Sequence, residues 1–259
     1  MRDIKITIIT VCRNAEKVLE KTIQSVITQT YKNIEYIIID GASTDHTLQI
    51  IKQYEHYKNM KYISEPDQGL YYAMNKGIDL AQGEFIQFLN AGDSLVDDRV
   101  VEKVVQFIKK NRGDIFYGSI IYKYDDGREE KRNYGRLCAK RYYYYTGDCI
   151  NHQAIFAHKE TLKNHKFDTS FKMCADREWM MRMMKKKYIC MPIVICRYSL
   201  NELSQSVKNK IIVDQEASMC IKKYCKEGYL FYCLFEKMRE NGIFSKLLHS
   251  IYRLIYIKK

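Results

Sequence analysis

Between Ile4 and Leu89, four short apolar runs alternate with helix-patterned stretches. Ile4–Thr10, Tyr36–Ile39, Met60–Ile63 and Glu84–Leu89 read as strands. Ala15–Gln29, a segment carrying Leu48, Ile51 and Tyr54, and Leu70–Ala81 read as helices. A strand without polar alternation, such as Tyr36–Ile39, must be buried on both faces, and a parallel sheet between helices does that. The repeat therefore predicts βαβ units and an α/β fold. Ser43 and Thr44 are placed to cap the second helix, and Gly83 to stop the third.

The later chain reads differently. Asp114–Tyr124 is strand-like, Asp126-Gly127 marks a hairpin turn, and a charged strand follows. His152–His158 and Ile189–Tyr198 are further strands, Trp179–Met184 is an apolar helix centre, and Ile211–Cys225 is a helix. With 2 Pro and 12 Gly, no Pro/Gly-rich linker divides the chain. Beyond residue 228 come two amphipathic patterns. Leu230, Phe231, Leu234, Phe235 and Met238 share one apolar face, and Phe244, Leu247, Leu248, Ile251, Tyr252 and Ile255 another. Lys237, Arg239, Lys246, Arg253, Lys258 and Lys259 supply a basic side, which suits an anionic membrane surface or packing against the core or a second subunit.

The net charge of +12 favours anionic partners without choosing among nucleotides, nucleic acid and membrane. The 9 Cys contain no C-x-x-C pair and read as reduced, mostly buried thiols of a cytosolic protein. The 6 His form no zinc-type spacing. The start of the chain lacks the pattern of a cleaved leader, and no run of about 18 apolar residues predicts a membrane span.

In parallel sheets, ligands bind beyond the carboxyl ends of the strands. Those ends carry Thr10-Val11-Cys12-Arg13-Asn14, Asp40-Gly41-Ala42-Ser43-Thr44-Asp45, Glu65-Pro66-Asp67-Gln68-Gly69 and Asn90-Ala91-Gly92-Asp93. Each alone is an ordinary polar turn. Together they form a polar rim along one sheet edge.

The order of these segments resembles the family 2 inverting glycosyltransferases of the GT-A fold. The resemblance is carried by I-I-T-V-C-R-N-A-E (residues 8–16), I-I-I-D-G-A-S-T-D-H-T (37–47), S-E-P-D-Q-G-L-Y-Y-A-M-N-K-G (64–77) and F-L-N-A-G-D (88–93). N-H-Q-A-I-F (151–156) and C-A-D-R-E-W (174–179) add weaker matches. It implies a catalytic domain over residues 1–215, with a nucleotide-sugar-binding half (1–95) and an acceptor and base half (96–215), followed by a basic tail (216–259).

Residue by residue, the resemblance sets Thr10 and Val11 beside the nucleobase and Arg13 and Asn14 in the loop next to the donor. Asp40 would bond base or ribose, Asp67 would line the base pocket, and Lys76 would pair with it. Asn90, Ala91 and Asp93 fall on the metal motif. Asn90 replaces its first carboxylate, so Asp93 would hold the ion, with a plain turn as the alternative. A nucleoside diphosphate leaves only once its charge is neutralised, and Mg2+ or Mn2+ does this through oxygen ligands. Asp176 matches the base that accepts the proton of the attacking hydroxyl, in a pocket shielded enough to tune it, or else a first-turn carboxylate facing the helix dipole. Glu178, two residues on, would point elsewhere. His152 and Gln153 would lie near donor phosphates or acceptor, or be structural.

Arg197–Ser204 matches a loop that closes on the diphosphate, although Asn201 and Glu202 stand where the family has glycines. Tyr142–Tyr145 would stack on an acceptor or fill a loop, and Lys185-Lys186-Lys187 would be a solvated helix end or face anionic lipid.

A nucleotidyltransferase of similar fold would carry glycines after the first strand, and a dinucleotide dehydrogenase G-x-G-x-x-G; Thr10–Glu16 has no glycine. A nucleic-acid binder fits the charge but not the carboxylate rim. A catalytically dead sugar-nucleotide binder would not need both Asp93 and Asp176. The resulting expectation is an inverting, metal-dependent transferase, peripheral on the inner face of the plasma membrane, with a nucleotide-sugar donor (UDP by default, GDP or dTDP open) and a glycan or lipid-linked acceptor. It would bind no nucleic acid.

Overall fold

The computed structural model describes residues 3–134, 149–200 and 209–224, together with Tyr229 and Cys233. The Tyr142–Tyr145 run, Asn201, Glu202, Ser204 and nearly all of the amphipathic tail lie outside these residues.

The expected βαβ units form. The first half runs β1 (Ile6–Cys12), α1 (Leu19–Ile27), β2 (Ile34–Asp40), α2 (Thr47–Gln53), β3 (Met60–Ser64), α3 (Leu70–Leu80) and β4 (Phe85–Phe88). β1 pairs in parallel with β2 on one side and β4 on the other, and β3 pairs in parallel with β2. Every residue of β1, β2 and β4 is buried, which explains their unbroken apolar runs. The chain steps outward from β1 to β3 and then returns to the far side of β1. That reversal opens a crevice at the carboxyl ends of β1 and β4.

The second half adds β5 (Ser94–Leu95), α4 (Val100–Lys110), β6 (Ile115–Tyr124), β7 (Glu129–Arg132), a 3-10 turn (His152–Ala154), β8 (Ile155–His158), α5 (Lys159–Asn164), α6 (Ala175–Arg182), β9 (Tyr188–Leu200) and α7 (Lys210–Tyr224). The sheet order is β3-β2-β1-β4-β8-β6-β9-β5, with β7 paired to β6. β8 is antiparallel to both β4 and β6 and so joins the two halves. The domain boundary expected after residue 215 falls inside α7.

Local departures have local causes. The first helix begins at Leu19 rather than Ala15; the residues before it form a turn that the Val18 N–H closes on the Ala15 carbonyl at 3.0 Å. Ser43 and Thr44 do not cap α2. The Ser43 hydroxyl donates to Asp40, and Asp45 Oδ1 accepts from the Thr47 amide instead. The strand expected from His152 starts three residues later, after the 3-10 turn. The seven described cysteines are unbridged.

Glu35 is a buried carboxylate within β2. It accepts from the Thr7 hydroxyl at 2.7 Å, the Gln82 amide at 2.7 Å and Lys61 Nζ at 3.3 Å, so it joins β1, β3 and the end of α3. Gly83 fits between these parts for reasons of space. A Cβ there would sit 2.5 Å from the Thr7 backbone nitrogen, which cannot move without breaking β1. Gly83→Ala is expected to lower unfolding free energy by about 1–3 kcal/mol, in the range of overpacked cores. Urea denaturation measures this, and an unchanged midpoint would show that the β1–β4 edge yields.

Candidate active site

The rim is built from loops that bond to one another. Thr10 is buried; its hydroxyl donates to the Leu89 carbonyl at 2.7 Å and sits 3.0 Å from the Tyr36 hydroxyl. Val11 is buried beside it, and its carbonyl accepts from the Ala91 amide at 3.3 Å. Arg13 lies exposed over Gly41. Asn14 has a φ of 50°, a left-handed conformation that Asn tolerates. Its amide donates to Ser43 Oγ at 2.8 Å and its Oδ1 accepts from the Thr44 amide at 2.9 Å, which zips the first rim loop to the second.

The rim carboxylates differ in what they have left to offer. Asp40 is fully buried and already serves the protein. It accepts from the Ser43 amide at 3.2 Å, the Ser43 hydroxyl and the Ser64 hydroxyl at 2.7 Å, with the Cys12 thiol 3.8 Å away. Burial first, and then this carboxylate, push the Cys12 thiol far up, so it stays protonated. Asp67 pairs through Oδ1 with Lys76 at 2.7 Å, and Lys76 also reaches Glu65 at 2.6 Å. Asp67 Oδ2 is buried without a hydrogen-bond partner among the described residues.

The Asn90–Asp93 turn follows β4. Gly92 takes a φ of 99°, and the Asp93 amide donates to the Asn90 carbonyl at 3.0 Å. Asp93 is buried; its Oδ2 accepts from Gln153 Nε2 at 2.9 Å and its Oδ1 from the Ser199 amide at 3.1 Å. Burial disfavours its charge more than Gln153, Ser199 and His152 restore it, and its pKa is pushed up to about 7. Among the described residues, Asn90 Oδ1, Gln87 Oε1 and Gln153 Oε1 are buried without hydrogen-bond partners.

Asp176, the second residue of α6, lies on the other side of His152. His152 Nδ1 is 2.8 Å from Asp176 Oδ2, and His152 Nε2 is 3.0 Å from Asn90 Nδ2. A neutral ring with its proton on Nδ1 satisfies both neighbours; this tautomer is assigned from the network. Asp176 Oδ1 also accepts from the Tyr71 hydroxyl at 3.1 Å and the Arg177 amide at 2.8 Å. Burial works against the charge of Asp176. The hydrogen bond from His152, with the amide and guanidinium of Arg177, outweighs it and holds the carboxyl below its usual range. Shielding is therefore present, but the pKa moves down.

The structure thus brings Asn90, Asp93, His152 and Asp176 into one hydrogen-bonded group, with Gln153 as a further member. Asp40, Asp67 and Lys76 form the adjoining rim. Glu178 points away: it is buried against Arg182 at 3.1 Å and the Tyr224 hydroxyl. Arg197 lies within β9, bonded to Glu129 at 3.0 Å and the Val96 carbonyl at 2.8 Å. Lys185–Lys187 are exposed after α6. Sequence reasoning did not single out Tyr71 or Ser199. Tyr71 lies inside a segment that carried the resemblance, and Ser199 inside the Arg197–Ser204 match; its amide bonds Asp93 and its hydroxyl donates to the Gly92 carbonyl at 2.7 Å.

A hard cation seeks oxygens. Among the described residues no three His, Cys, Asp or Glu side chains gather as a cage. Asp93 and the unpartnered Asn90 oxygen on the same turn instead offer the partial set that suits an ion completed by substrate oxygens.

A parallel α/β sheet with carboxylates at its switch point, extended by antiparallel strands, defines the nucleotide-sugar-binding GT-A fold. The chain belongs to glycosyl transferase family 2, whose model matches residues 7–187. A PGL/p-HBAD biosynthesis glycosyltransferase of Mycobacterium bovis (strain BCG / Pasteur 1173P2) is 35% identical over 147 residues, 55% of this chain and 55% of that protein. The minor teichoic acid biosynthesis protein GgaB of Bacillus subtilis (strain 168) is 29% identical over 189 residues, 68% of this chain and 21% of its own length. The chain thus spans about half the length of the mycobacterial relative, and less of GgaB. Among solved structures, S. aureus TarS 1–349 in complex with UDP-GlcNAc superposes with a TM-score of 0.68 at 18% identity, over 85% of this chain and 67% of that one. The mannosyltransferase PcManGT from Pyrobaculum calidifontis, in complex with GDP-Man and Mn2+, gives 0.63 at 17% identity, over 98% of this chain and 70% of that one.

The raised pKa of Asp93 has a consequence for stability. The folded protein keeps this proton to about pH 7, whereas an unfolded Asp releases it near pH 4. Stability from this group is therefore greatest in acid and declines as pH rises from about 4 to about 7. Asp93→Asn keeps the Ser199 bond, and Gln153 can turn its unpartnered Oε1 toward the new amide. The variant should be more stable than wild type by roughly 1–3 kcal/mol at pH 8, with a smaller gap at pH 5. Thermal denaturation at both pH values measures the gap; an equal gap would mean that Asp93 is not desolvated.

Proposed function

We propose that this chain transfers a sugar, with inversion, from a nucleoside-diphosphate sugar to an acceptor hydroxyl. The observation that carries the reading is the continuous chain Asn90–His152–Asp176 beside Gln153–Asp93. Residues 152 and 153 thereby join a turn suited to the diphosphate and a carboxylate suited to the incoming hydroxyl.

On the donor side, Asp67 Oδ2 is an unpartnered acceptor. It suits the imide N–H of uracil or thymine, or the N1–H of guanine. Asp40 holds the loop around that pocket, and Thr10, Val11 and Ala91 form its backbone wall. UDP is the favoured base, in line with the UDP-GlcNAc complex of TarS. Asp93, with Asn90 next to it, would hold Mg2+ or Mn2+, which neutralises the charge of the leaving diphosphate. The Mn2+ of the mannosyltransferase complex supports this reading.

On the acceptor side, Asp176 receives the proton of the attacking hydroxyl. Its low pKa keeps it ionised at neutral pH but makes it a weak base alone. His152, bonded to Oδ2 through its Nδ1–H, orients the carboxylate that accepts the proton. The acceptor is a glycan or lipid-linked glycan of a surface polysaccharide, in keeping with the roles named for the mycobacterial and Bacillus relatives. No described helix is long and apolar enough to cross a membrane, and the basic tail would hold the enzyme at an anionic surface.

Calorimetric titration with UDP, GDP and dTDP, each with and without Mn2+, tests the donor site. One nucleotide should bind in a metal-dependent way, and Asp176→Asn should keep that binding while lowering transfer by about 100-fold or more. Absence of binding by a folded sample to all three nucleotides would defeat the proposal. Near-normal turnover of Asp176→Asn would move the base elsewhere.

A further inference from the structure

Asp176 sits at the start of a helix, and its position depends on the three residues that lead into it. Those residues have an unusual partner. Glu216, a buried residue of α7, accepts from the Lys172 amide at 2.7 Å through Oε1, and from the Met173 and Cys174 amides at 2.9 Å each through Oε2. One carboxylate thus takes three consecutive N–H groups at the N-terminal end of α6, where the helix dipole also favours negative charge. The Cys174 thiol adds a contact to the Val213 carbonyl at 3.5 Å. From the opposite side, the Tyr71 hydroxyl donates to the Met173 carbonyl at 2.8 Å and to Asp176.

We propose that Glu216 is a positioning residue for Asp176: it fixes the backbone of residues 172–174 so that the carboxylate meets His152 and the acceptor. The proposal rests on the transferase reading given above and extends it to a helix beyond residues 7–187, the part of the chain that the family model matches. Glu216 touches no reacting atom. Its buried carboxylate is kept because three amide groups would otherwise lose their partner, and bonds from amides to a charged acceptor are among the stronger ones. A neutral substitute cannot replace it. Gln has one oxygen and could hold Met173 and Cys174, but it would turn an NH2 group against the Lys172 amide.

The test uses the full chain with Glu216→Ala and Glu216→Gln. Nucleotide binding and donor KM should stay within about twofold of wild type, while kcat falls ~10- to 100-fold in Glu216→Ala and less in Glu216→Gln, the pattern of a misplaced catalytic group. The second readout needs no turnover. In wild type, the 15N signals of the His152 ring should show one tautomer with the proton on Nδ1; in Glu216→Ala they should move toward a mixture, because Asp176 no longer fixes the ring. An unchanged kcat with an unchanged tautomer in folded Glu216→Ala would overturn the proposal. So would a loss of kcat matched by an equal loss of nucleotide binding, which would make Glu216 a general brace. Wild-type protein that transfers no sugar would refute the transferase reading, and the tautomer measurement would still decide the position of Asp176.

Discussion

A carboxylate that stays charged while mostly removed from water needs donors from several directions. Asp176, with its side chain only 16% exposed, draws them from separate parts of the chain: Tyr71 on α3, His152 on the 3-10 turn, and the Arg177 amide on its own helix. None of these contacts is local except the last. The loop that delivers Asp176 is fixed in turn by Glu216 on α7. The site therefore depends on the antiparallel half docking correctly against the βαβ half. β8 does this by pairing with β4 on one side and β6 on the other, which leaves His152 and Gln153 at the seam.

Three other carboxylates line the same crevice in different states, and the differences follow from their donors. Asp40 has several donors and frames the second rim loop. Asp67 has one lysine and one idle oxygen. Asp93 has two neutral donors, so burial dominates and its proton is retained to about pH 7. Identical side chains on one sheet edge are thereby divided into a frame, a half-paired carboxylate and one whose charge burial disfavours.

The alternating strands and helices were legible because burial on both faces writes itself into every residue of β1, β2 and β4. Asp93, His152 and Asp176 were legible through their family-like segments, and the Lys76–Asp67 pair likewise. Three things were not. The capping role assigned to Ser43 and Thr44 failed because the Ser43 hydroxyl goes to Asp40 three residues back, and Thr44 bonds Asn14 on the first rim loop, a contact set by tertiary structure. The direction of the Asp176 shift depends on His152, 24 residues away in sequence, so local shielding said nothing about its sign. The Ser199 hydroxyl and the Glu216 carboxylate bond backbone groups far along the chain, and such bonds impose no pattern on neighbouring residues.

The cost of this arrangement is concentrated in one place. Asp67 Oδ2, Asn90 Oδ1, Gln87 Oε1 and Gln153 Oε1 are all buried acceptors without partners, and all lie in or beside the crevice. A buried acceptor left unsatisfied costs about 1–3 kcal/mol. Satisfying them within the protein would raise stability but remove the oxygens that a base imide or a hard cation can use. Under the proposed function this cost is pre-organisation: acceptors held in place by the fold before a donor or a cation arrives.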